Sequence, residues 1–520
     1  MHEVITLSLS PGANNLATHF YNLQESNLYS AKRVSDLPIL PNVHLQSSRS
    51  ADGKSSSFYP RALLWDYNNG YGSMGQFEYF QSLTDDNTPV RDTELVTNYT
   101  NITTTDRIEK HQYQKALDAN EDTEGKLSPD SVRFFTDFSR VIYKPNSILK
   151  LKNWNYDNNE NFGYYRNQID IKFNNYDIGS NEYKENYEEG RDVLDENFRK
   201  ILEDSDLLEG VNLITEIDSG WAGFTDCLLQ ELRDEYLPKT TIFTWGLTND
   251  DPVAHPQNLK SIFSRLKSMV NLIKSSSLYF PISNQPAGLP LEYNKMKIWE
   301  ISAFQTLPFE YLNSMFIQNS EKRITMSDFE NGLKMGSNRS IVSNIRASDN
   351  NITESTTGII DFSCHNLFQN FSNGFIKRPF RAEITKREDH VFSKSVIKRY
   401  DCEGKGKKEK DEYCKLASDF DFLKEKGTDA KGLIKYELDT SLNKLDSFPE
   451  SFIKTQGDNG IDQVSFDTSD NTRKLLIEMF DFVSRFCRND EREELKDDLE
   501  NLKTDYEFGY YDSDSEYDDE

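Results

Sequence analysis

"EIDSGWAGFTDCLLQELRDEY", residues 216–236, continues the apolar run VNLITEI (211–217). A buried strand runs into a short turn holding two glycines, Gly220 and Gly223. The turn opens an amphipathic helix with Phe224, Leu228, Leu229 and Leu232 on one face. Strand, glycine turn and helix form an arrangement that holds phosphates, because the N–H groups at a helix N-terminus attract anions. Here Trp221 stands between the glycines, and Asp218 would repel a phosphate unless a cation intervened. The same residues also suit a plain tight connection between strand and helix.

The pattern repeats outward from this stretch. EVITLSL (3–9) is β-rich and leads through SPGANN to Leu16, Phe20 and Leu23 at helical spacing, with His19 beside them. Residues 30–58 are Ser-rich and read as a loop. Ala62–Trp65 form a short strand with Asp66 at its C-terminal end. Residues 72–130 read as a long polar insertion, 131–145 as a helix, and 187–210 as a helix feeding the strand 211–217. A strand at 241–247, a helix over 257–275 and a strand at 277–282 follow. This alternation predicts an α/β fold, a Rossmann-like parallel sheet with helices on both faces. Ligands of such sheets sit at the C-terminal strand ends. Beyond residue 300, 318–358 and 401–430 read as loop-rich, and 471–487 as an amphipathic helix that 492–503 extends. The last stretch, DYEFGYYDSDSEYDDE, holds eight carboxylates and no basic residue and predicts a disordered tail.

With 520 residues the chain is long enough for several domains. The division read from the sequence is 1–118 and 119–312 for the N-terminal α/β unit, 313–490 for a smaller α+β unit, and 491–520 for a helix extension and tail. The net charge of −27 argues against direct nucleic-acid binding, which needs a basic surface to displace counterions from phosphates. It favours protein partners. Five cysteines with no C-x-x-C pair suit a reducing compartment. Asn-x-Ser/Thr triplets such as Asn98-Tyr-Thr are then chance matches. No apolar run reaches the ~18 residues of a membrane span. The start MHEVITLSLSPGANN carries Glu3 and is followed by no Lys or Arg before Lys32, unlike a signal or transit peptide.

Other candidate features are weaker. Asp66 is placed to ligate Mg²⁺ through water, or simply to start the turn before NNGYG. The seven histidines lack metal-ligand spacing, and Cys364-His365 is a lone pair. The basic stretches 377–387 and 405–410 are candidate contacts for an acidic partner or solvated loops. Ser513 and Ser515 stand among acids, the setting that acid-directed kinases favour.

MHEVITLSLSPGANNLATHFYN resembles the opening of tubulins, and YPRALLWDYNNGYGSM is similar to their Pro-Arg-Ala-x-Leu-x-Asp segment. YEEGRDVLDENFRKILEDSDLLEG and DSGWAGFTDCLLQEL fall, in order, where tubulins carry a helix and their glycine-rich phosphate signature. Together these cover residues 1–285 with an insertion near 70–180. The start, the insertion and VRFFTDFSRVIYKPNSI are closer still to the Misato family, tubulin-like proteins whose fungal members are associated with mitochondrial partitioning and mitochondrial-DNA inheritance. The resemblance implies a nucleotide pocket built from Ser10, Asn14, Asn15, Asp66, Gly220 and Gly223.

The chain departs from the tubulin pattern in both loops. Ser10 and Ala13 replace glycines, Asn14 is kept, and Ser219, Trp221 and Ala222 occupy positions that would face phosphate. A side chain forced into a left-handed conformation costs about 1–2 kcal/mol, and each lost charge-assisted hydrogen bond about 1.5–3 kcal/mol. Several such defects sum to roughly 5–8 kcal/mol, enough to take a micromolar binder past millimolar. The expectation is therefore a vestigial pocket with no cofactor, no GTP turnover, no catalytic residue and no metal. Trp221 would plug the pocket, and the working surface would meet proteins on the cytosolic face of mitochondria, with a cytoplasmic pool. A polymerising GTPase and an adaptor for cytoskeletal or chaperone machinery are the alternatives; the sequence leaves the oligomeric state open.

Overall fold

The computed structural model describes residues 2–29, 37–49, 56–76, 108–157, 162–166, 168–185, 194–248, 259–289, 297–319, 322–348, 359–364, 390–399, 432–438, 440–455, 461–488 and 490–507. The basic stretches 377–387 and 405–410, His365, Ser513 and Ser515 lie outside the described residues, as does the chain end from 508 onward.

The N-terminal half alternates strand and helix. Its elements are β1 (Glu3–Leu9), α1 (Pro11–Leu28), β2 (Leu45–Arg49), β3 (Ser56–Pro60), β4 (Ala62–Asn68), α2 (Gln112–Ala119), β5 (Ile148–Asn155), β6 (Tyr164–Tyr165), β7 (Gln168–Lys172), α3 (Tyr176–Tyr183), α4 (Arg199–Glu203), β8 (Leu208–Glu216), α5 (Gly220–Glu231), β9 (Thr241–Thr248), α6 (Leu259–Ser275) and β10 (Leu278–Ser283). Eight of these strands form one sheet in the order β10-β9-β8-β1-β4-β5-β6-β7. The six from β10 to β5 run parallel, and β6 and β7 add antiparallel strands at one edge. The chain winds from β1 outward to β4 and β5, then returns to place β8 on the other side of β1. That reversal opens a crevice at the C-terminal ends of β1 and β8, where ligands of such sheets bind.

Buried alternation explains the two covered faces. Phe243, Trp245, Phe280 and Ile282 point to one face, with Leu16 and Phe20 of α1. Ile5, Leu7, Leu63, Trp65 and Leu213 point to the other, with Phe224 and Leu228 of α5 and Leu266 and Ile273 of α6.

The remaining elements are α7 (Ile298–Phe316), α8 (Met326–Lys334), β11 (Asn344–Ser348), β12 (Ile359–Asp361), β13 (Val391–Arg399), β14 (Leu433–Leu438), α9 (Glu450–Thr455), β15 (Gln463–Ser469), α10 (Asn471–Phe486) and α11 (Arg492–Asp505). A second sheet runs β12-β11-β15-β13-β14. Every residue of α7 from Trp299 to Phe316 is buried, including the polar side chains Glu300, Gln305, Glu310 and Asn313. It lies between α1 and the second sheet. Arg399 of β13 donates to both carboxylate oxygens of Glu310 on α7 at 2.8 Å, and this pair is buried. Tyr311 Oη donates to the Ile461 carbonyl at 2.7 Å. Helices α10 and α11 return to the first sheet, packing on α6.

Several sequence readings need correction. Residues 131–145 are not a helix. Asp137 folds back to accept the Arg133 and Phe134 N–H groups, each at 3.0 Å, and leaves a single 3₁₀ turn at Phe135–Asp137. Within 30–58, β2 pairs antiparallel with β3, from Leu45 opposite Pro60 to Arg49 opposite Ser56. Of the helix expected over 187–210, the described part is helical only from Leu194 to Glu203, and strand β8 begins at Leu208. Helix α11 does not extend α10; the chain turns extended at Cys487 between them. The segment 318–358 holds α8 and β11 rather than loop alone. The boundary placed at residue 312 falls inside α7.

Candidate phosphate crevice

Strand register assembles the site. Leu9 of β1 pairs with Trp65 of β4 on one side and Thr215 of β8 on the other. The next residues, Asp66, Ser10 and Glu216, are therefore level across three adjacent strands, beside the N-termini of α1 and α5; β4 runs on to Asn68, so Asp66 lies within the strand and not at its end.

Ser10 caps α1. Its hydroxyl accepts from the Ala13 N–H at 3.0 Å and its carbonyl from the Asn14 N–H at 2.9 Å. It does so at φ 138°, a left-handed conformation that costs a non-glycine residue of order 1–3 kcal/mol. Asn14 ties two strands together. Its amide donates to the Trp65 carbonyl and to Asp66 Oδ2, each at 2.9 Å, and its Oδ1 accepts from Ser8 Oγ at 2.7 Å. Asn15 turns back to the Pro11 carbonyl at 2.8 Å, within its own helix. Asp66 also accepts its neighbour's N–H, from Tyr67, at 2.7 Å. Burial drives its carboxyl up from 3.8 to about 8, against the pull of Asn14 and the Tyr67 N–H.

Glu216, which the sequence reading passed over, is half-buried at the end of β8 and reaches the N-terminus of α1. Its Oε1 accepts the Gly12 N–H at 3.0 Å. Burial of the carboxyl raises it from 4.5 to about 7, opposed by the Gly12 N–H and the Ser10 hydroxyl, and Asp218 adds to the rise. A Cβ at Gly12 would lie 2.6 Å from Glu216 Oε1. Only a bare backbone lets the carboxylate approach so closely. The signal was a carboxylate at a strand end beside the expected crevice.

The second turn is closed differently. The Gly220 N–H donates to the Phe173 carbonyl at 3.0 Å, the Trp221 N–H to Ser219 Oγ at 3.3 Å, and the Ala222 N–H to the Ser219 carbonyl at 3.3 Å. Helix α3 crosses α5 at this point. A Cβ at Gly223 would sit 1.9 Å from the Tyr176 carbonyl oxygen, and one at Gly179 would sit 1.6 Å from that of Gly220. The two glycines admit a neighbouring helix. Trp221 is fully buried, with ring centroids 5.1 Å from Tyr67, 5.4 Å from Phe173 and 5.9 Å from Phe224. The cation beside Asp218 is Arg265, whose Nε donates to its carboxylate.

The structure thus joins Ser10, Asn14 and Asp66 with Glu216, while Asn15 serves its own helix, Gly220 lies against the Phe173 ring and Gly223 faces α3. A nucleotide triphosphate does not fit this arrangement as it stands, because Glu216 and the Phe173 carbonyl already occupy the leading N–H groups of both helices. Among the described residues no group of three or more His, Cys, Asp or Glu could hold a metal ion, and no helix is long and apolar enough to cross a membrane.

The sheet order, with its crevice between two helix N-termini, defines a tubulin-like protein. Residues 124–315 match the family model described as Tubulin domain, and residues 2–119 match that described as Misato Segment II tubulin-like domain. The protein named Protein DML1 from Kluyveromyces lactis is 30% identical over 534 residues, covering 99% of each chain. Its namesake in Debaryomyces hansenii is 30% identical over 549 residues, covering 100% of each. Protein dml1 of Aspergillus niger is 27% identical, again covering 100% of each. The chain belongs to the Misato family of tubulin-like proteins.

Proposed function

We propose that this chain is a non-enzymatic, tubulin-like platform that acts through protein contacts in the partitioning of mitochondria and the inheritance of their DNA. The observation that carries the non-enzymatic part is the occupation of both helix N-termini by the chain's own oxygens, from Glu216 and Phe173. A phosphate would have to displace a carboxylate at one turn and part a helix crossing at the other. The residues of the tubulin-like pocket, Ser10, Asn14, Asn15, Asp66, Gly220 and Gly223, then serve as structure.

The mitochondrial part rests on the family. The cytosolic face of mitochondria, with a cytoplasmic pool, is the proposed location. With a net charge of −27, any effect on mitochondrial DNA runs through the organelle. Titration of the purified chain with GTP in a calorimeter tests the reading. No micromolar binding is expected, and a micromolar dissociation constant would reject it. The alternative, a nucleotide-driven polymer, draws on the kept sheet order and the Asn14–Asp66 contact; it requires GTP-dependent sedimentation.

A further inference from the structure

We propose that Glu216 is a tethered counter-anion, a side chain that occupies the place of an external oxyanion at the N-terminus of α1 and keeps the crevice shut. This rests on the platform reading and names the group that enforces it at this turn.

Three observations converge. First, the carboxylate takes the α1 N–H group that points into the crevice: Pro11 has none, and those of Ala13 and Asn14 are held by Ser10. Helix N-termini attract anions through these groups and the helix dipole. Second, the approach is built in. Gly12 has no Cβ, and one placed there would collide with Glu216 Oε1. Third, among the described residues the charges that act on the carboxylate are acidic. Asp218, itself taken up by Arg265, raises it, and its own charge weakens the acidity of Asp66 and Tyr67. Its hydrogen-bond partners among the described residues are the Gly12 N–H and the Ser10 hydroxyl. The ligand class held off is a phosphate or similar oxyanion.

The test compares full-length wild type with Glu216→Ala and Glu216→Gln, titrated with inorganic phosphate at pH 8. Glu216→Ala vacates the place and should bind phosphate at least about tenfold more tightly than wild type, the worth of one charge-assisted hydrogen bond. Glu216→Gln still fills the space and accepts from Gly12, so it should show no gain. Adding Gly12→Ala to Glu216→Ala refills the space with a methyl group and should cancel the gain. A folded Glu216→Ala with wild-type phosphate affinity overturns the proposal, and so does an equal gain in Glu216→Gln.

Should Glu216→Ala fail to melt cooperatively, the wild type provides the second measurement. The Gly12 amide resonance should titrate with a midpoint of about 7 and lose that titration in Glu216→Gln; a flat response overturns the proposal. Failure here is separable from failure of the platform reading, since the latter is decided by GTP on unmodified protein.

Discussion

Asp66 and Glu216 are ordinary carboxylic acids in the unfolded chain and are held near 8 and 7 in the fold. Between about pH 4 and those values the native state carries more protons than the unfolded state, so stability falls as pH rises across that window. The contribution is fully present on the acid side and gone above about pH 8. In urea titrations at pH 5 and pH 8, Asp66→Asn should narrow the difference between midpoints, because its amide is neutral at both. An unchanged difference would show that Asp66 is already ionised in the native state. The sequence made Asp66 visible as a carboxylate following a short apolar strand, and Ser10 and Asn14 only through the resemblance to tubulins. It hid the role of Glu216, because the contact with Gly12 joins residues 204 positions apart and depends on a strand register that no local pattern displays.

At the scale of elements, the legible parts were continuous apolar runs and helical stripes. The strands around 3–9, 211–217, 241–247 and 277–282 are buried along nearly their whole length, and the helices 257–275 and 471–487 bury one face. The segment 131–145 misled because Phe135, Phe138, Val141 and Tyr143 are all buried, and their near-helical spacing hides a chain turned by the Asp137 carboxylate. Helix α3 was illegible: Tyr176, Gly179, Ser180 and Tyr183 are buried by a crossing partner rather than by a stripe of aliphatic residues. That crossing is the reason for Gly223, and the Phe173 ring for Gly220, the two glycines that resembled a phosphate loop. Gly223→Ala must push α3 away, since the obstructing atom is a backbone carbonyl. It should cost about 1–3 kcal/mol, read as a lower denaturation midpoint, and it should do so with or without GTP. A stabilised or unaffected Gly223→Ala would mean that the helices do not cross here.

Across the whole molecule, α7 decides how the two sheets cohere. The sequence showed an α/β half followed by a weaker region, but placed a boundary inside this helix, because a helix buried on all sides has no amphipathic signal to mark which unit it serves. The ion pair Arg399–Glu310 fastens it to β13, with the Arg399 guanidinium 4.4 Å from the centre of the Tyr311 ring. Removing one partner strands the other in a buried setting. Glu310→Ala should therefore cost about 3–5 kcal/mol, whereas replacing both partners by apolar residues of matching volume should cost far less. Calorimetric unfolding distinguishes the two, and equal losses would mean that stranding a buried charge is not the source of the cost.

The burial of α7 between α1 and the second sheet also bears on how this protein can be dissected. A fragment cut before residue 298 uncovers the side of α1 that packs on α7, and one cut after 316 leaves α7 without the second sheet. Either piece exposes surface that the intact chain buries. Partner screens therefore call for the intact polypeptide bearing point substitutions, with truncations kept to regions that leave both sheets and this helix together.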